Sequence, residues 1–200
     1  GRLPVAKTAA ELAAQSDAYY LSLMSRRIFR AGLRHAMVDA RWPAFEEVFM
    51  GFEPKRVRAM NDEAVEALMG DERLIRHWGK IKSVRANAAA MCDISEENAG
   101  FGAWLADWPG ERIVDLWAEL TKRFSQLGGR SGPFFLRMAG KDTFLIGGDG
   151  VRALNHWGVH DGVPKGKRDR EKVQEAFNAW AAEAGRPLCE ISMVLALSVD

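Results

Sequence analysis

Cysteine is scarce in this sequence: the two that occur, Cys92 and Cys189, are far apart and show no Cys-x-x-Cys spacing. This scarcity argues against a disulfide framework and against a cysteine-based zinc site. It also suits a protein of the reducing cytoplasm. We therefore expect a cytoplasmic protein with no structural metal and no cofactor.

Long apolar runs are missing as well, since none approaches the roughly 20 residues that a membrane-spanning helix needs. An excess of one charge is also absent, because 28 basic side chains nearly balance 27 acidic ones. Net charge therefore indicates no particular partner. The 48% of hydrophobic residues suffices for a sizeable core, and we expect one domain over residues 1–200, monomeric and not bound to a membrane.

Apolar residues recur at helical spacing through most of the chain, for example in YYLSLMSRRIFRAGLRHAMV, where arginines stand between them. This periodicity predicts an all-α fold, a multi-helix globule of about ten short helices. One longer amphipathic helix is predicted over residues 72–90, interrupted at Gly79. Only the segment DTFLI resembles a strand, and we expect residues 1–16 to be loosely ordered.

Two glycine-rich turns, LGGRSG and IGGDGV, lie close together in the segment 127–151. The first separates two predicted helices, and such a turn exposes backbone N–H groups that bind anions, including nucleic-acid phosphates. The DNA-binding candidates in this turn are Gly128, Gly129, Arg130, Ser131 and Gly132. The alternative is a plain connection between helices, because glycines commonly end helices.

The second turn carries a single acid, Asp149, immediately before the predicted helix VRALNHW. One interpretation is that Asp149 caps this helix by accepting backbone N–H bonds. The other is a catalytic carboxylate on the floor of a cleft, where it would stabilise positive charge developing on a sugar. The residue pattern alone leaves both interpretations open.

The central segment 52–88, FEPKRVRAMNDEAVEALMGDERLIRHWGKIKSVRANA, resembles the DNA-3-methyladenine glycosylase I family, as does Ala31-Gly32-Leu33 upstream. The matching positions of the central segment are Phe52, Pro54, Val57, Met60, Val65, Leu68, Ile75, Arg76, Lys80, Ile81, Asn87 and Ala88. This resemblance implies the helix-hairpin-helix DNA glycosylase superfamily. It implies an all-α fold, a hairpin that holds DNA phosphate, and a cleft for a flipped-out alkylated purine.

The same resemblance implies roles for individual residues. LGGRSG is similar to the family's hairpin, with Ser131 at the expected second glycine or with Gly132 in that role after a shift of one residue. Asp149 lies within one position of the catalytic Asp of many superfamily members. Lys80 joins the DNA-binding candidates. The base-pocket candidates are Tyr20, Arg27, His35 and Trp42.

The sequence also departs from the family pattern. The usual zinc ligands are absent, the base-contacting Glu falls on Arg27, and the base-stacking Trp falls on His35. An Arg cannot accept a hydrogen bond from a cationic purine and would repel it. Either the base specificity differs, or Asp149 supplies the carboxylate, or the site no longer catalyses. For Tyr20 and Trp42 the alternative to a pocket role is burial in the core.

The resemblance leads to the expectation of a base-excision repair glycosylase that acts on duplex DNA. It would hydrolyse the N-glycosidic bond of a flipped-out alkylated purine, with 3-methyladenine the first candidate. One alternative is a DNA-binding or damage-recognition protein that has kept the hairpin but lost catalysis. Another is a helical protein with no DNA role, in which GGRSG is only a turn.

Overall fold

The structure is a computed structural model that describes residues 3–199, and the fold over this range is all-α, as predicted. Three short 3₁₀ helices, Met50–Phe52, Leu68–Gly70 and Gly110–Arg112, join some of the α-helices. The α-helices are α1 (Ala9–Ala13), α2 (Asp17–Arg30), α3 (His35–Val48), α4 (Pro54–Arg58), α5 (Asp62–Ala67), α6 (Trp78–Asn98), α7 (Phe101–Asp107), α8 (Ile113–Arg123), α9 (Ser131–Ala139), α10 (Gly148–His156), α11 (Lys167–Ala184) and α12 (Leu188–Leu197).

Helix α2 lies at the centre of the fold and packs against α3, α6, α7 and α9. It begins after Ser16, whose hydroxyl accepts the N–H of Tyr19, and its buried face carries Leu21, Met24 and Ile28. It ends at Arg30 because Ala31 is extended and Gly32 then adopts a φ of 77°. Consequently, one edge of α2 faces α3 and the other faces α9.

The described part of the N-terminal segment is more ordered than we expected. Helix α1 begins with a capping box in which Thr8 and Glu11 satisfy each other's backbone N–H groups. Leu12 is buried, and the N–H of Lys7 donates to the carbonyl of Gly140. The expectation of loose order over residues 1–16 is therefore wrong for this part, because a buried leucine and a cap hold the segment in place.

Two predicted elements differ from the observed ones. The helix predicted over residues 72–90 begins only at Trp78, where the His77 ring accepts the N–H of Lys80 as an N-cap. The segment DTFLI is extended, but within residues 3–199 no strand pairs with it, and the N–H of Leu145 donates to the Ser192 hydroxyl instead. None of the described helices is long and apolar enough to cross a membrane.

Candidate functional site

Helices α8 and α9 contact each other and are joined by the tight turn 124–130. The N–H of Gly132 donates to the carbonyl of Leu127 at 3.1 Å, and Gly129 adopts a φ of 59°. A Cβ on Gly132 would lie 3.0 Å from that same carbonyl oxygen, which is closer than an ordinary contact, so the turn favours glycine at this position. Of positions 131 and 132, the second is therefore the one that fits the expected second glycine of the hairpin.

The turn leaves donors at the N-terminus of α9. Within residues 3–199, the N–H groups of Gly129 and Arg130 donate no hydrogen bond to the protein. Both residues are exposed, and the positive end of the α9 dipole lies beside them. The arrangement favours an anion at this position.

A buried amide fixes the turn to α6. Asn87 is fully buried, its Nδ2 donates to the carbonyl of Ser125 at 3.1 Å, and its Oδ1 accepts the N–H of Ser125 at 2.7 Å. Both backbone groups of Ser125 are thereby satisfied by one side chain. Although Asn87 was noted in the central motif, its role went unpredicted, because sequence spacing does not show which distant backbone a buried amide meets.

A cavity of about 240 Å³ lies between α9, the segment 141–147 and the loop before α11. Its walls are mostly aromatic and aliphatic, and its basic side chains are Arg130, Lys165 and Arg170. No Asp or Glu of the described chain lines it. The full lining is Trp117, Gly129, Arg130, Pro133, Phe134, Leu145, Ile146, Val163, Pro164, Lys165 and Arg170.

Arg27 reaches this region from α2. Its guanidinium lies 4.9 Å from the centre of the Phe134 ring, and Phe134 lines the cavity. Its Nε is buried and has no hydrogen-bond partner among the residues that the structure describes. Burial lowers the pKa of Arg27, and the neighbouring charges of Arg130 and Arg30 lower it further. Arg27 is therefore a half-buried cation among other cations.

The other three predicted pocket residues lie elsewhere. Tyr20 is fully buried, its hydroxyl donates to the carbonyl of Leu12 at 2.7 Å, and burial raises its pKa. Trp42 is also buried, stacks against Phe45, and donates its Nε1 to Glu46. His35 is exposed at the start of α3. Only Arg27 contacts a cavity residue, because the two large aromatics fill the core instead.

Lys80 is not placed to contact DNA, contrary to expectation. It is 8% exposed, and its ammonium donates to the carbonyls of Phe29 at 3.3 Å and Ala31 at 2.7 Å. These carbonyls lie at the C-terminal end of α2, where unpaired backbone acceptors attract a cation. Burial and the charge of Arg27 lower the pKa of Lys80. Its role here is to hold α6 against the end of α2.

Asp149 is not the cap of the helix that follows it. The N-cap of α10 is Gly147, and Asp149 is the second residue of the helix. Its carboxylate is largely exposed and lies 2.7 Å from the guanidinium of Arg152, one turn along. It does not line the cavity, although Ile146, three residues earlier, does. The capping interpretation is therefore wrong.

Lys165 and Arg170 belong to the basic segment KGKRDREK and were not among the predicted site residues. Phe134 and Ile146 carried no signal beyond their position next to the two glycine-rich turns. No group of three or more His, Cys, Asp or Glu side chains in the described range 3–199 is placed to hold a metal ion.

A family model described as methyladenine glycosylase matches residues 12–126. DNA-3-methyladenine glycosylase 1 from Escherichia coli strain K12 is 35% identical over 72 residues, which is 36% of this chain and 38% of that protein. The match therefore spans well under half the length of this curated relative.

Solved structures share the fold at lower identity. A crystal structure of 3-methyladenine DNA glycosylase I has a TM-score of 0.57 at 23% identity, covering 70% of this chain and 84% of that chain. The 8-oxoguanine glycosylase/lyase of Methanocaldococcus jannaschii, in complex with a 15mer DNA containing 8-oxoguanine, has a TM-score of 0.55 at 16% identity, covering 94% and 84%. The second likeness extends over nearly the whole chain, including the region beyond residue 126.

Proposed function

Because the chain belongs to the methyladenine glycosylase family, we propose that it is a DNA glycosylase that hydrolyses the N-glycosidic bond of a modified purine flipped out of duplex DNA. 3-Methyladenine is the first substrate to test, since the E. coli relative is named for it. The observation that carries the proposal is the hairpin 124–130 with unpaired N–H groups at Gly129 and Arg130, directly beside a cavity.

The hairpin and the cavity beside it would bind two different parts of the DNA, the backbone phosphate and the flipped base. The hairpin donors and the α9 dipole favour a backbone phosphate. The cavity next to them has aromatic walls at Trp117 and Phe134, against which a planar base would stack. Flipping costs a few kcal/mol and costs least for a damaged base, which provides part of the selectivity. One protein surface would therefore hold both the backbone and the flipped base.

The decisive experiment is base release. Duplex DNA treated with a methylating agent, and duplexes with single modified purines, are incubated with the protein, and the free bases are identified by chromatography. We expect release of at least one modified purine and an abasic strand that alkali then cleaves. Arg130→Glu should reduce release by weakening DNA binding. If no base is released from any of these duplexes, the chain is not a glycosylase.

Asp149 remains our candidate for the carboxylate that faces the sugar, although in this conformation it pairs with Arg152. It lies in the first turn of α10, close in sequence to the cavity wall at Ile146. We expect Asp149→Asn to lower the rate of the chemical step roughly 100-fold or more if the carboxylate stabilises the transition state. Asp161→Asn, on a nearby exposed turn, is the matched control. A wild-type single-turnover rate for Asp149→Asn would end this assignment.

A second candidate function is damage recognition without catalysis. It is favoured by the absence of any described Asp or Glu in the cavity lining. Such a protein would bind duplexes containing a modified base or an abasic-site analogue more tightly than unmodified DNA. It would release no base from either, so that the base-release experiment separates the two candidates.

A further inference from the structure

The charged side chains at and next to the cavity are basic. Arg27, Arg130, Lys165 and Arg170 form no ion pair within residues 3–199. Asp39 is paired with Arg30 at 2.6 Å. Asp169 accepts the N–H groups of Lys165 and Gly166, each at 3.1 Å. The cavity therefore presents hydrogen-bond donors and positive charge without a compensating carboxylate.

The apolar walls of the cavity restrict the kind of ligand that these donors can bind. Trp117, Pro133, Phe134 and Ile146 give the cavity an apolar interior, with the cations at its edge. A bare phosphate would gain nothing from those walls and would lose its hydration there. A flat aromatic ring that carries hydrogen-bond acceptors satisfies both parts of the lining.

We propose that this cavity takes an uncharged nucleobase bearing a carbonyl oxygen, and that Arg27 determines this specificity. The proposal rests on the proposed function in one respect, namely that DNA delivers the base by flipping. Arg27 does not itself line the cavity, but its guanidinium packs on the Phe134 ring that does, which places a half-buried positive charge next to the wall against which a base would stack.

The same arrangement disfavours bases that carry a positive charge. Purines alkylated at ring nitrogens, such as 3-methyladenine and 1-methyladenine, are cations in DNA, and the half-buried charge of Arg27 would repel them in a weakly screened site. 3-Methyladenine, which is tested first because of the relative's name, is therefore expected to be a poor substrate. Purines with a carbonyl, such as hypoxanthine and 8-oxoguanine, offer an oxygen that a guanidinium donor can satisfy.

The test is equilibrium binding, which does not depend on catalysis. Four duplexes of one sequence carry, at a single position, hypoxanthine, 8-oxoguanine, 1-methyladenine or adenine, each with a 2′-fluoro sugar that prevents hydrolysis during the measurement. We expect wild type to bind the hypoxanthine or the 8-oxoguanine duplex at least tenfold more tightly than the 1-methyladenine duplex. The duplexes have the same sugar–phosphate backbone, so phosphate contacts contribute equally to each affinity and cancel in the ratio of affinities.

Arg26 provides a matched control on the same helix. Its guanidinium also lies over an aromatic ring, 5.0 Å from the centre of Trp42, and its Nε is likewise buried without a partner. Trp42 lies in the core on the α3 side, away from the cavity. We expect Arg27→Gln to abolish the preference for the uncharged base and Arg27→Glu to reverse it. Arg26→Gln and Arg26→Glu should leave the ratio within about twofold of wild type, if phosphate contacts cancel as argued.

Three results would overturn the proposal. They are a wild-type preference for 1-methyladenine, equal affinity for all four duplexes, or an equal loss of preference in the Arg26 and Arg27 variants. Far-ultraviolet circular dichroism establishes that each variant is folded, and Arg27→Lys, which keeps the charge, should retain part of the preference. If the protein releases no base but shows the expected ratio of affinities, the proposed catalysis is wrong and the proposed specificity stands. If it releases cationic purines preferentially, the proposed catalysis stands and the proposed specificity is wrong.

Discussion

At the scale of single residues, Asn87 has the most measurable role. Replacing it with Ala removes two hydrogen bonds and leaves the backbone groups of Ser125 without their partner. We expect the free energy of unfolding to fall by about 1–3 kcal/mol, because these groups are partly buried. Urea denaturation monitored by tryptophan fluorescence measures this change. The affinity for duplex DNA should fall as well, since the hairpin loses its anchor on α6.

The control for this substitution lies on the same helix. Asn98 donates only to the carbonyl of Ile94 one turn earlier, a local bond at the end of α6. Asn98→Ala should therefore change the free energy of unfolding by less than about 1 kcal/mol and leave DNA affinity unchanged. Equal effects of the two substitutions would contradict the anchoring role of Asn87.

The buried thiol of Cys189 should make the free energy of unfolding depend on pH. Burial raises the pKa of its thiol to about 11, from an ordinary value of 9.0. As pH rises above the ordinary value, the unfolded chain loses this proton first, so the folded state loses stability until the pH passes the folded-state pKa. The difference in the free energy of unfolding between wild type and Cys189→Ala should therefore shrink between about pH 9 and about pH 11. A difference that stays constant across this range in urea titrations would contradict the shift.

At the scale of elements, the hairpin should depend on Gly132 more than on Gly128. Gly132→Ala would place a Cβ 3.0 Å from the Leu127 carbonyl oxygen, so the turn would have to shift by a few tenths of an ångström. We expect a loss of about 1–3 kcal/mol in the free energy of unfolding, with weaker DNA binding. Gly128→Ala meets only the Thr121 methyl group at 3.7 Å and should be nearly neutral. If both variants behave alike, the turn does not depend on this close contact.

Elements with clear periodicity were predictable from the sequence, whereas those decided by tertiary contacts were not. Helix α2 follows its apolar spacing, and the two helices on either side of LGGRSG were predicted together with that glycine-rich turn. The start of α6 was misplaced, because Leu74 and Ile75 continue the apolar pattern although His77 caps the helix. DTFLI has residues typical of a strand. A strand also needs a second strand to pair with, and the sequence of a five-residue segment does not show whether one is present.

The candidate site was predictable only in part, for the same reason. Both glycine-rich turns contribute, through Arg130 and Ile146, to one cavity. Tyr20 and Trp42 were assigned to a pocket because aromatic residues serve both cores and stacking surfaces, and sequence position does not separate the two uses. Phe134 and Arg170 come from distant segments, so only the folded chain brings them together.

At the scale of the whole molecule, the near-balance of charge makes local cations matter for DNA binding. Each phosphate contact contributes a slope of roughly −0.9 in a plot of log affinity against log salt concentration. We expect Arg130→Glu to make the slope shallower by about 1 for any duplex, modified or not. Lys80→Met should leave the slope unchanged, because its ammonium is bound to backbone carbonyls. A salt-independent affinity in wild type would argue against a DNA-binding surface.

The two hydrogen bonds between Asn87 and Ser125 should also slow hydrogen exchange at the Ser125 amide. Loop amides usually exchange their hydrogens with water through small openings of the surface. The amide of Ser125 is instead held by a side chain from the middle of a buried helix, so its exchange requires that helix and turn separate. Its deuterium uptake should follow that of the core amides of α6 rather than that of the neighbouring turn, which would make the turn 124–130 a rigid platform.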